Sequence, residues 1–161
     1  TAGGYLAEEG FTDGAGYWLV ALARAAAGDL PGLTGAYLLL GLAIMGCLTL
    51  RVVSRPSASP HVVLADIAAL LMAALFILSP NYPWYVLAVV PFVVLGGGWP
   101  AWAMTLGAIL LYRPTTLPSN DLAWKTMATL PFVAAVAAQL FRRTSTIGDL
   151  WRPDTVPRRR S

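Results

Sequence analysis

Charge is what this sequence has least of. Of its 161 residues, 12% are Asp, Glu, Lys or Arg, against about 25% in an ordinary soluble domain. A chain this poor in charge cannot cover itself with a water-facing surface. Cys47 is its one cysteine, so no internal disulfide can form. His61 is its one histidine, which leaves no His/Cys spacing for a metal. There is no Gly-rich phosphate loop and no G-x-S-x-G nucleophile elbow. Nucleic-acid binding, metal chemistry and bound cofactors are therefore not implied. The alternation expected of a β-barrel strand is missing too, since the apolar runs are continuous and rich in Leu and Ala. The chain opens on Thr1 with no basic segment ahead of a cleavable apolar core. The expectation is a C-terminal piece of a longer protein whose N-terminal half would be its first partner.

What the sequence does contain is apolar. Hydrophobic residues make up 57%, and the mean hydropathy is +0.64. Apolar runs separated by Pro, Gly and Arg clusters predict an all-α fold, a polytopic transmembrane helical bundle of about five spans. Tyr17 to Ala27 is too short to cross roughly 30 Å of hydrocarbon, so a short interfacial helix is expected near the N-terminus. The predicted spans are Leu33 to Val53, Val62 to Leu78, Tyr85 to Leu95, Ala101 to Tyr112 and Leu122 to Phe141. The last is the cleanest, and Pro91 is expected to kink the third. Residues 1–141 form the membrane domain. Residues 142–161 form a basic, disordered tail.

Charge placement orients the bundle. With the tail in the cytoplasm, eight of the eleven Lys and Arg residues fall inside, among them Arg51 and Arg55. The acidic N-terminal stretch and the Asn81–Tyr85 loop then fall outside. Asp66, inside a span but near its end, is expected to pair with an Arg of the adjoining loop. Asp121 is a predicted cap for the last span and a helical ion-pair partner for Lys125.

Polar groups converge on the outer face. Glu8, Glu9, Arg24, Asn81, Tyr82, Trp84 and Tyr85 form the candidate binding set. Carboxyl groups orient sugar hydroxyls, aromatic faces stack on sugars or cover a lipid chain, and Arg24 suits a phosphate. For the aromatic residues the competing reading is an ordinary interfacial belt.

The run LSPNYPWYVLAVVPFV, in which a Pro-Trp-Tyr loop opens a helix carrying Pro91-Phe92, resembles the C-terminal half of GT-C glycosyltransferases. These polytopic enzymes use polyprenyl-phosphate sugars, and the bacterial mannosyl- and hexosyltransferases are the most similar. Leu6-Ala7-Glu8-Glu9-Gly10-Phe11 before a short helix is similar to that group's extracytoplasmic segment. The resemblance implies transfer of a mannose-like hexose from a polyprenyl-phosphate donor to an extracytoplasmic acceptor, in a bacterial inner membrane. In the family the catalytic acid lies in the first extracytoplasmic loop of the full protein, which this chain is expected to lack. No catalytic residue is therefore assigned here, and Glu8 and Glu9 stand as substrate contacts. The alternative is a non-enzymatic integral membrane protein, either a transporter or flippase subunit or an assembly scaffold.

Overall fold

The longest apolar runs become the longest helices. In the computed structural model, which describes residues 4, 9–55, 59–96, 98–112 and 122–141, seven α-helices follow one another. They are α1 (Trp18–Ala27), α2 (Leu33–Val53), α3 (Pro60–Leu78), α4 (Trp84–Leu87), α5 (Val90–Gly96), α6 (Trp99–Gly107) and α7 (Leu122–Phe141). A 3₁₀ turn, Ala108–Leu111, extends α6. Among the described residues there is no strand, so the fold is all-α.

Two helices, α2 and α3, are both long and apolar enough to cross a membrane. Burial separates them from the core helix of a soluble protein, for only 6% of the most apolar window of α2 and 28% of that of α3 is buried. None of the three further spans expected from sequence reaches that standard among the described residues. The run from Trp84 is broken into α4 and α5, and α6 with its 3₁₀ extension is short. α7 has the length, but Trp124, Lys125, Thr126 and Gln139 dilute its apolar character.

Pro91 explains the break. It sits at the second position of α5, where a missing N–H costs nothing, so the helix restarts around it rather than kinking through it. The chain crosses the gap on turn-like bonds, with Val89 N donating to Val86 O at 3.0 Å and Phe92 N to Val89 O at 3.0 Å.

α5 packs along α3, and α6 packs along α7. Close approach depends on glycine at two places. A Cβ on Gly96 would stand 2.7 Å from the backbone nitrogen of Ala65, and one on Gly107 would run into the carbonyl of Ala128. Met72, Val93, Ala101 and Phe132 fill the space between these helices. At the far end, α3 stops on Ser79, whose left-handed conformation (φ 46°) lets its N–H reach Leu75 O at 2.7 Å. Pro80 then forbids any further turn. The residues that follow build the candidate site.

Candidate functional site

The segment Glu9 to Gly16 is a tight loop that only glycine permits. Gly10 and Gly14 have positive φ, and a Cβ on Gly16 would collide with Glu9 O. Gly16 N closes the loop on Gly10 O at 2.8 Å. This fold presents Glu9, fully buried, to the connector after α3. Asn81 N donates to Glu9 Oε2 at 3.0 Å, and Asn81 Nδ2 donates to Glu9 O at 3.0 Å. The Tyr85 hydroxyl donates to Glu9 Oε1 at 3.2 Å. Three of the residues expected on one face are therefore joined, across 72 positions of sequence for the first pair.

Lys125 of α7, also buried, locks the same region from the other side. Its Nζ donates to Gly16 O at 2.6 Å and to Ser79 O at 3.4 Å. Trp18 Nε1 adds a bond to Thr126 Oγ1 at 2.9 Å, which holds the start of α1 against α7. Beside Lys125 lies a cleft of about 40 Å³, bordered by Ser79, Pro80, Val86, Leu111 and Thr129. That is room for a water or two, not for a sugar. Tyr17, stacked on Phe11 (ring centroids 5.3 Å) and tilted against Tyr37 (5.5 Å), is pushed above the usual tyrosine pKa by burial.

Tyr82 and Trp84 take a different position. Their rings stack at 4.1 Å with planes 12° apart, and Trp84 is 48% exposed. They form an open aromatic face directly beside the buried Asn81. Asn81 Oδ1 is buried without a hydrogen-bond partner, although its carboxamide nitrogen is engaged.

Arg24 belongs to a separate group. Its Nη2 donates to Thr34 Oγ1 at 3.3 Å. Its Nε lies 3.0 Å from Asp29 Oδ1 but out of line for a hydrogen bond. Glu8, Asp121 and the basic tail lie outside the described residues.

The opposite end of α3 carries the pair expected from sequence. Arg55 Nη1 donates to both carboxylate oxygens of Asp66, at 2.9 and 3.2 Å. No cluster of three or more His, Cys, Asp or Glu side chains suited to a metal occurs among the described residues.

Sequence reasoning missed Lys125 and Ser79. A lysine inside an apolar run is a default sign of a buried polar contact, but its partners lie 109 and 46 residues away. The Ser-Pro pair that ends a long apolar run reads as a helix stop, yet nothing local says that the last carbonyl will face a cation.

Comparison with known protein families, curated proteins and solved structures finds no match to this chain.

Proposed function

We propose that this chain is the membrane-embedded part of a lipid-linked-sugar glycosyltransferase, supplying a binding rim rather than the catalytic acid. In this reading α2, α3 and α7 cross the bilayer, and α4–α5 with α6 complete a five-span bundle. The Asn81–Tyr85 end faces outward from a bacterial inner membrane, away from Arg51 and Arg55. The observation that carries the proposal is the half-exposed Tyr82–Trp84 stack. A flat aromatic face next to a buried polar group suits a hexose, whose C–H face packs on the ring while its hydroxyls find hydrogen-bond partners. Arg24, held by an exposed aspartate and a threonine, is the candidate phosphate contact.

The test is transfer of a hexose from a polyprenyl-phosphate donor by the full-length enzyme. Trp84→Ala should lower transfer about fivefold, because a stacking contact is worth about 1 kcal/mol. Trp102→Ala removes an equally exposed ring (42%) from the far half of α6 and should leave transfer within about twofold. Equal, small losses would sink the site.

A second reading, a non-enzymatic scaffold or transport subunit, draws on Glu9. Both its carboxyl oxygens are occupied by the protein itself, as in a structural tie. Retention of polyprenyl-phosphate hexose by the purified full-length protein separates the two readings.

A further inference from the structure

We infer that Glu9 is a positioning residue for the aromatic face: its carboxyl group fixes the Tyr82–Trp84 stack in place and does not itself meet the ligand. The inference rests on the hexose reading above and adds to it the group that keeps the face in shape.

The carboxyl group grips the connector on both sides of the stack. Oε2 accepts from Asn81 N at 3.0 Å, and Oε1 accepts from the Tyr85 hydroxyl at 3.2 Å. Between these two points lie Tyr82, Pro83 and Trp84, the two stacked residues and the proline that joins them. At Asn81 the hold is doubled, because Asn81 Nδ2 donates to Glu9 O at 3.0 Å. At Tyr85 it passes on to the stack. The Tyr85 ring lies 6.2 Å from that of Trp84, which lies 4.1 Å from that of Tyr82. Three rings thus stand in a row, and Glu9 holds the last of them by its hydroxyl.

Little else in the connector can give. Pro80 and Pro83 have fixed φ. Ser79 O is held by Lys125, and Val86 N closes the first turn of α4 on Pro83 O at 3.0 Å.

Glu9 is fully buried, whereas Trp84 is half-exposed. A sugar hydroxyl could reach the Glu9 carboxyl group only by displacing Asn81 or Tyr85, while the ring face stands open beside it. Hydrogen bonds kept from water strengthen and hold their geometry. The rings therefore need not be ordered anew when a hexose arrives, a cost that a pre-formed face avoids.

The test is a double-mutant cycle on binding of a polyprenyl-phosphate mannose to the purified full-length protein. Trp84→Ala and Glu9→Ala should each weaken binding about fivefold, the size of one stacking contact. The double variant should bind within about twofold of either single one, because Glu9 acts only through a stack that is already gone. Losses that multiply to about 25-fold would make Glu9 an independent ligand contact and overturn the inference. Glu9→Gln still offers Asn81 N an acceptor and can donate to the Tyr85 oxygen, so it should restore binding to within about twofold of the unaltered protein.

The position of the rings is read without ligand. With 5-fluorotryptophan in the full-length protein, the Trp84 fluorine signal is assigned by its loss in Trp84→Phe. In Glu9→Ala it should move towards its position in Tyr82→Leu, whereas Asp66→Asn, at the other end of α3, should leave it in place. An unmoved signal in folded Glu9→Ala protein overturns the positioning role. Should Glu9→Ala not fold, Tyr85→Phe removes one of the two grips and should move the same signal part of the way; an unmoved signal there overturns the role as well. If the signal moves as expected but the unaltered protein binds no polyprenyl-phosphate mannose, the hexose reading falls and the positioning of the stack stands.

Discussion

Each end of α3 lies beside one buried carboxyl group, and the two are satisfied in opposite ways. Asp66 is met by a guanidinium from a loop only 11 residues away. Glu9 is met by neutral donors, a backbone N–H and a tyrosine hydroxyl, brought from more than 70 residues away. The first is a local charge pair that keeps one foot in solvent, since the Arg55 side chain is 24% exposed. The second is a knot in which loop, connector and α7 hold one another. Chemistry that must survive at an interface can rely on a charge pair. A rim that must keep its shape while an aromatic face stays open needs the knot.

Substitutions can break this contrast, and the largest effect is expected at Glu9. Glu9→Ala strands the buried Asn81 N–H and the Tyr85 hydroxyl together, so thermal unfolding in detergent should show a loss of about 3 kcal/mol. Lys125→Met comes next. It removes a buried cation of similar volume but leaves Gly16 O unmet, for a loss of about 1.5 kcal/mol in the same assay. Asp66→Asn should cost less, about 1 kcal/mol, because Arg55 can turn to water. A loss at Asp66 larger than at Glu9 would reverse the comparison.

The smallest effect is one of pH. Burial raises the folded-state pKa of Tyr17 above its ordinary value of 10.0. The unfolded chain therefore releases this proton first as pH rises, and the stabilisation, complete below pH 10, is lost progressively above it. Arginine keeps its charge in that range. The Glu9 end should accordingly loosen before the Arg55 end, which hydrogen exchange followed at both ends would register. Tyr17→Phe should lessen the alkaline difference.

The same contrast explains what could be read from the sequence. Asp66 with an arginine of the next loop is a pairing of near neighbours, and it could be anticipated. The meeting of Glu9, Asn81 and Tyr85 was legible as residues sharing one end of the bundle, though not as hydrogen bonds to one another. Their mutual engagement depends on Gly10 and Gly16 folding the loop back on itself, which the letters alone do not reveal. Lys125 was expected to pair with Asp121, which lies outside the described residues, and the two distant carbonyls it reaches could not be read from the letters. Pro91 was read correctly as a disruption. Its position in the first turn of α5 turned an expected kink into a restart.

Lys125 also sets an order in time. Its partner Gly16 precedes it by 109 residues, and a ribosome adding about 5–20 residues per second needs on the order of 5–20 s to cover that interval. During that delay the loop can close on itself and on Asn81 and Tyr85, but Gly16 O still waits for the Lys125 ammonium. Arrival of α7 supplies that tie, so the lysine acts as the clasp of a nascent chain.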